Sequence, residues 1–167
     1  KNWKFLRLFD CDLHAETVLE VIQKENLDFK VMLGAYIGAE VNNHNCPWNA
    51  GVYPEHQLEA NKTNNQSKIN RLIELANQHK EHIFSVSVGN EACVGWTDHM
   101  VPQSRVIDFT RQVKKSVNQP VTYCESYAAW LIELGELANE VDFISIHTYP
   151  VWENKTIDEA LGHTKQN

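Results

Sequence analysis

Short apolar runs alternate with stretches of helical periodicity along most of the chain. The apolar runs, which predict strands, cover residues 5–9, 29–36, 83–88, 120–124 and 141–147. Helical spacing follows each run: a stripe after a capping Asp12, stripes over 65–79 and 103–117, one around Trp130, and a capping box formed by Thr156 and Glu159. This alternation indicates right-handed βαβ units and a parallel sheet.

Two architectures fit such a pattern, an open doubly wound sheet and part of a closed barrel. No GxGxxG or GxxxxGK[ST] loop follows any predicted strand, which disfavours nucleotide binding of the doubly wound kind. Both architectures gather functional groups at the carboxyl ends of the strands. Those ends are therefore where we expect the chemistry.

Length and charge narrow the function classes. The chain has 167 residues, enough for one domain but short of the roughly 250 that a complete eight-fold α/β barrel needs. Its 15 Lys and Arg against 22 Asp and Glu give a net charge of −7, so we expect no nucleic-acid partner. No apolar run approaches the ~20 residues of a membrane span. The four cysteines form no CxxC pair, and free thiols are favoured over a disulfide framework.

One predicted connection, 37–64, is unusually long and is rich in amides and aromatics. A long loop in a compact domain is often functional, and amides with aromatic planes suit a sugar. A loop packed only on itself is the alternative. The residues concerned are Asn42, Asn43, His44, Asn45, Trp48, Asn49 and Tyr53.

The predicted strand ends are unusually polar. They carry Asp10, Asp12, Tyr36, Glu40, Asn90, Glu91, Glu125, His147, Tyr149 and Trp152. Carboxylates on a common rim are what glycoside hydrolysis needs, although any one strand-end acid can instead be a helix cap. Glu91, directly after Gly89 and Asn90, is the strongest catalytic candidate. Arg7 lies inside a strand, where we expect a carboxylate partner.

The segment Val88-Gly89-Asn90-Glu91 resembles the acid/base motif of glycoside hydrolase family 17, the β-1,3-glucanases and related transglycosylases. Residues 31–36, 120–125 and 141–153 are similar to the third, fifth and sixth barrel strands of that family, the fifth in its bacterial form. The resemblance covers about barrel strands two to six. It implies an α/β fold that is part of a (β/α)₈ TIM barrel.

The resemblance also implies roles for single residues. Glu91 would be the general acid/base, and Asn90 would bond the 2-hydroxyl of the sugar being cleaved. Tyr149 would orient the nucleophile, and Arg7 would support the charge network. Trp152 would line a sugar subsite, as would Trp130 unless it belongs to the core, and Tyr36 and Glu125 are assigned to the same substrate-binding rim. We expect no cofactor.

The family's nucleophile is a Glu at the end of the seventh strand, in a Gly-Glu context. Here the Gly-Glu pair is Gly135-Glu136, inside a helical pattern. We therefore expect residues 1–167 to form a single, incomplete portion of a glycosidase catalytic domain, with the rest of the barrel supplied by the same polypeptide. A natural truncation that only binds glycan, or Glu125 as second carboxylate, are the alternatives.

The expected activity is retaining hydrolysis of β-1,3-glucan, as polysaccharide or oligosaccharide, with transglycosylation or glycan binding alone as alternatives. A catalytic acid near neutral pH predicts a raised pKa for Glu91. The histidines His44, His56, His79, His82 and His99 form no HExxH motif, and we expect no metal. The size of the substrate favours an extracellular or periplasmic location.

Overall fold

Residues 3–48 and 50–167 are described in the computed structural model; the loop candidate Asn49 lies outside these ranges. Five strands form one sheet whose spatial order follows the chain, and every neighbouring pair is parallel. They are β1 (Phe5–Leu8), β2 (Lys30–Gly34), β3 (Ile83–Asn90), β4 (Val121–Ser126) and β5 (Ser145–His147). The predicted βαβ arrangement is confirmed.

Helices connect the strands and follow β5. They are α1 (Leu13–Lys24), α2 (Glu55–Gln78), α3 (Gln103–Lys114), α4 (Tyr127–Ile132), α5 (Gly135–Ala138) and α6 (Ile157–Gln166). The helix N-caps predicted at Asp12 and Thr156 are confirmed. The Asp12 carboxylate accepts from the Ala15 N–H at 3.1 Å, and the Thr156 N–H donates to Glu159 Oε2 at 2.9 Å.

The sheet is strongly curled. Arg7 lies on β1 and His147 on β5, the two edge strands of the sheet, yet Arg7 Nη1 is 2.8 Å from His147 Nε2. A flat sheet would hold these strands about 19 Å apart, beyond the reach of both side chains. The five strands therefore form a half-barrel with helices on its outer side.

The core lies between the outer face of the sheet and helices α1, α2 and α3. Apolar side chains from both layers are almost completely buried there. They include Leu19, Val31, Leu33, Ile69, Leu72, Val86, Phe109, Val113 and Val121. Burial of this face holds the strand ends in register, and the site is built on those ends.

Helix α2 begins at Glu55, ten residues before the predicted start at Asn65. The predicted loop 37–64 was therefore too long. The reason is that amides, not an apolar stripe, dock the first half of the helix. Asn61 Nδ2 donates to the Ala39 carbonyl at 2.8 Å. Asn65, one turn later, bonds both the N–H and the carbonyl of Gly38. A search for apolar periodicity does not detect this kind of contact.

Two further expectations change towards the end of the chain. The fifth strand is confined to Ser145–His147 rather than 141–147, and the helical stretch around Trp130 divides into α4 and α5. Trp130 belongs to the core: it is 9% exposed, and its indole N–H donates to the Ser145 carbonyl at 3.1 Å. It therefore lines no sugar subsite.

All four cysteines are buried and free, as the thiol alternative predicts. Within the described ranges, none of the helices is both long enough and apolar enough to cross a bilayer.

Gly34, the last residue of β2, lies against the backbone at the end of β1, and we predict that Gly34→Ala destabilises the fold. An added Cβ would lie 2.7 Å from the backbone oxygen of Phe9, so the two strands would have to separate. The expected loss is about 1–3 kcal/mol, measured by urea unfolding. Gly162→Ala on α6, where an added Cβ meets nothing within 4 Å, is the matched control. Equal stability of the two variants would contradict the prediction.

Candidate active site

Glu91 directly follows β3 and has an unusual backbone. The pairing of β3 with β4 shifts between Ser87 and Asn90, which places a bulge just before Glu91. Glu91 itself has φ of +47°, an uncommon value for a residue with a side chain. The bulge and this left-handed residue turn the chain at the carboxyl end of the sheet.

The carboxylate of Glu91 is held by two side chains from the end of β5. Tyr149 Oη donates to Oε1 of Glu91 at 2.5 Å, and His147 Nδ1 lies 2.7 Å from the same oxygen. The implied role of Tyr149 was to orient a nucleophile, whereas its contact here is with the acid/base candidate.

Arg7 bridges the two sides of the half-barrel. Its Nη1 contacts His147 Nε2 at 2.8 Å, and its Nη2 donates to Asn90 Oδ1 at 2.6 Å. A guanidinium can only donate, so in the neutral form of His147 the Nε2 atom accepts and Nδ1–H donates to Glu91. The expectation that Arg7 contacts a carboxylate was wrong, because the His147 ring lies between Arg7 and Glu91. Because Arg7 takes the amide oxygen of Asn90, the amide N–H groups are the ones suited to a sugar hydroxyl.

His99 supports Asn90 from the other side. Its Nε2 lies 2.9 Å from the Asn90 carbonyl oxygen, and its Nδ1 lies 2.6 Å from the Asp98 carboxylate. The Tyr36 ring stacks on His99 with centroids 4.7 Å apart, and the Tyr36 hydroxyl is 3.3 Å from Nδ1. Tyr36 therefore contributes to the site through His99.

A groove of about 800 Å³ opens beside Glu91. The loops after β2, β3 and β5 and the junction of β4 with α4 form its walls, with aromatic side chains prominent. They are Trp48, Trp96, His99, Tyr127, Tyr149 and Trp152. Trp152 is 83% exposed, which leaves its ring available to a ligand. Rings with a few convergent polar groups are typical of ligand sites.

The pKa of Glu91 is shifted opposite to expectation. Burial raises it, but hydrogen bonds from His147 and Tyr149 outweigh burial and hold the pKa below its ordinary value. The expected raised pKa was therefore wrong for this chain. Both bonds stabilise the ionised carboxylate.

Most other strand-end acids have structural roles. Asp10 accepts from the Tyr36 N–H at 3.0 Å and pairs with Lys68. Glu40 is buried beside Asn65 and Arg105. Glu125 is 0% exposed, so the assignment of this residue to direct substrate contact was wrong. Its two oxygens are occupied by protein donors.

The amides of the long connection also serve the protein itself. Asn42 accepts from the Tyr53 N–H at 2.8 Å, and Asn43 is buried and donates to the carbonyls of Gly95 and Thr97. Trp48 is the exception, because it faces the groove.

The histidine His79, at the end of α2, is buried, and burial lowers its pKa. In the described part of the chain, no three His, Cys, Asp or Glu side chains are grouped to hold a metal ion.

Solved structures that share the fold of this chain include an endo-laminarinase and a β-1,3-glucanosyltransferase. An endo-laminarinase from Formosa Hel1_33_131 superimposes with a TM-score of 0.71 at 23% identity, over 92% of this chain and 42% of that one. A glycoside hydrolase family 17 β-1,3-glucanosyltransferase from Rhizomucor miehei gives 0.67 at 22% identity, over 98% and 52%. Its active-site mutant in complex with laminaritriose gives 0.66 at 20% identity, over 98% and 54%.

No family model matches the chain, and no curated protein matches it. The likeness to solved structures is therefore one of fold. The chain is part of a (β/α)₈ TIM barrel. It spans about half the length of the structures that it resembles.

Two site residues were not assigned a role from the sequence. His147 was noted as a strand-end residue, and His99 only as a metal candidate. The available signal for His147 was its place at the end of the predicted strand 141–147, since functional side chains gather at the carboxyl ends of parallel strands. The position of His99 depends on how the loop after β3 folds back, and no local pattern encodes that.

We predict that Arg7→Met raises the pKa of His147. Burial lowers this pKa, but hydrogen bonds with Cys124 and Glu91 outweigh burial and raise the pKa to about 9, and the Arg7 charge opposes that rise. Arg7 also presents an N–H to Nε2, which a protonated imidazole cannot accept. Removing Arg7 therefore favours the imidazolium, and NMR titration of the His147 ring protons should show a higher midpoint.

Arg111→Met is the control for this titration, because Arg111 pairs with Glu140 on the surface of α3. An unchanged midpoint in Arg7→Met, or an equal rise in Arg111→Met, would mean that the Arg7 contact does not act on His147.

Proposed function

We propose that this chain is the acid/base half of a retaining glycosidase that acts on β-1,3-glucan. The observation that carries the proposal is Glu91 itself: a carboxylate 20% exposed, on the wall of an aromatic groove, held by two donors on one oxygen. Both bonds end on Oε1, which leaves Oε2 for proton transfer to a ligand.

The surroundings of Glu91 suit a sugar. Trp48, Trp96 and Trp152 give the groove flat apolar surfaces, on which the C–H faces of a pyranose can pack. Asn90, fixed by Arg7 and His99, offers amide N–H groups next to Glu91. A hydrogen bond from such a group to the 2-hydroxyl strengthens in the transition state of glycoside cleavage.

In the proposed mechanism, Glu91 donates a proton to the glycosidic oxygen while a second carboxylate attacks the anomeric carbon. A water molecule then gives its proton to Glu91 and attacks the anomeric carbon, which releases the second carboxylate from the covalent intermediate. We assign the nucleophile to a Glu outside this chain, on the remainder of the barrel from the same polypeptide. A second carboxylate at about 5–5.5 Å would also raise the pKa of Glu91, which the acid role requires.

The β-1,3-glucan specificity rests on two supports: the Val88-Gly89-Asn90-Glu91 segment and the laminarinase and glucanosyltransferase among the structures of the same fold. The glucanosyltransferase favours transfer to a sugar acceptor as a second candidate function, with the same role for Glu91. Product analysis separates transfer from hydrolysis. Because a polysaccharide does not cross a membrane unaided, we place the enzyme outside the cytoplasm.

Glu91→Gln in the complete polypeptide should lower kcat on laminarin by about 10²–10⁴-fold, because the amide cannot donate the proton that the leaving oxygen needs. Binding of laminari-oligosaccharides should persist, since the side-chain shape is kept. Hydrolysis is measured by reducing-sugar release and binding by calorimetry. With a dinitrophenyl glucoside, whose leaving group needs no acid, azide should restore turnover.

Glu20→Gln, at an exposed position of α1, is the control and should retain full activity. Near-normal laminarin hydrolysis by Glu91→Gln would remove the basis of the proposed function.

Trp152→Ala should weaken oligosaccharide binding about tenfold, which corresponds to about 1.4 kcal/mol, because a stacking surface is lost from the groove. The side chain is too exposed for its removal to disturb the core. Trp3→Ala removes an equally large exposed ring that is not part of the groove and should leave the calorimetric affinity unchanged. The same affinity in both variants would exclude Trp152 from the binding surface.

A further inference from the structure

The backbone after Glu91 is bonded residue by residue to strand β4. Three successive N–H groups each find an acceptor there. They are Glu91 to the carbonyl of Cys124 at 2.9 Å, Ala92 to Oη of Tyr123 at 2.7 Å, and Cys93 to Oε2 of Glu125 at 3.1 Å. Only the first is a backbone pair. The other two depend on side chains that point out of β4.

Glu125 is a buried carboxylate whose hydrogen-bond partners in the described structure are all donors. Besides the Cys93 N–H, it accepts from Tyr123 Oη at 3.0 Å and from the Ser126 N–H at 2.8 Å. Burial raises its pKa, while these three hydrogen bonds oppose the rise. Burying a carboxylate that makes no ion pair within the described residues costs free energy. Its contact with the Cys93 N–H, two residues after Glu91, calls for a reason.

The turn provides that reason. The other non-glycine residues with positive φ in the described ranges, Asn26 and Asn154, are of a type that tolerates the left-handed region. Glu91 is not, so its conformation depends on external contacts. Tyr123 supplies one of them and also packs against Gly89, where an added Cβ would lie 2.7 Å from the Tyr123 ring.

We propose that Tyr123 and Glu125 are positioning residues that hold Glu91 in its left-handed conformation and so direct its carboxylate into the groove. Both side chains are completely buried, out of reach of a ligand in the groove, and they act through the Ala92 and Cys93 backbone. The inference deepens the proposed function and rests on the acid/base role of Glu91. It also gives Glu125 a role different from that of a second carboxylate.

The contacts of Glu91 supply a specific readout. If the turn relaxes, the carboxylate leaves the donors His147 and Tyr149, which hold its pKa down. Both variants are made in the complete polypeptide. In Glu125→Gln, the amide NH₂ faces one of the three groups that donate to Glu125 and breaks that hydrogen bond. In Tyr123→Phe, the hydroxyl that accepts from the Ala92 N–H is removed. In each variant, NMR titration of the Glu91 carboxyl carbon without glycan should shift upward by at least about half a pH unit. Amide hydrogen exchange at Ala92 and Cys93 should accelerate.

The same variants should lower kcat on laminarin by about 10–100-fold with KM changed less than about threefold, because a misplaced acid slows proton transfer more than binding. Val113→Ala, a cavity in α3 at a fully buried position, is the control for lost stability alone. It should lower the melting temperature and leave the Glu91 titration unmoved.

Opposite outcomes are separable. An unshifted Glu91 titration in both variants, or in Tyr123→Phe alone if Glu125→Gln does not fold, would overturn the positioning role whatever the enzymatic result. Azide rescue of Glu125→Gln would also overturn it, since rescue requires a reacting carboxylate. A shifted titration in a protein whose Glu91→Gln variant keeps full activity would retain the positioning role and reject the proposed function.

Discussion

The hydrogen bond between Arg7 and His147 joins the first and last strands of the described sheet, and the site exists only because the sheet curls enough to form it. The curl carries β5 over the end of β3, so that His147 and Tyr149 reach the Glu91 carboxylate. Strand twist and helices packed on one face produce this curvature. The geometry of the site is therefore a property of the half-barrel as a whole.

Hydrogen-bond and ion-pair partners separate the carboxylates at the strand ends into different roles. Asp10 and Glu125 lie on neighbouring parts of the same rim as Glu91, but the carboxylate of each accepts hydrogen bonds from protein donors. Glu91 keeps one oxygen clear of described hydrogen bonds and a side chain that reaches the groove. The same functional group thus fixes a loop in one place and is available for proton transfer in another. Glu125 is in addition fully buried, so a ligand cannot reach it.

The fold class was predictable because its signals are local. Apolar runs alternating with helical stripes predicted the five strands, and the caps at Asp12 and Thr156 predicted two helix starts. The start of α2 was not predictable in this way, since Asn61 and Asn65 dock it through amides that periodicity does not register. Glu91 could be singled out as a catalytic candidate from the residues around it, with its role still a proposal.

By itself, the sequence determined the order of elements, the parallel sheet and the set of polar residues brought to one edge, because strand and helix formation depend on neighbours in the chain. Tertiary structure alone decided how those polar residues pair. It put His147 between Arg7 and Glu91, buried Glu125 beneath the turn, and lowered the pKa of Glu91 where the sequence favoured a raised one. A pKa and a hydrogen-bond partner depend on atoms from distant parts of the chain that meet only in the folded state, and local sequence carries no record of their distance.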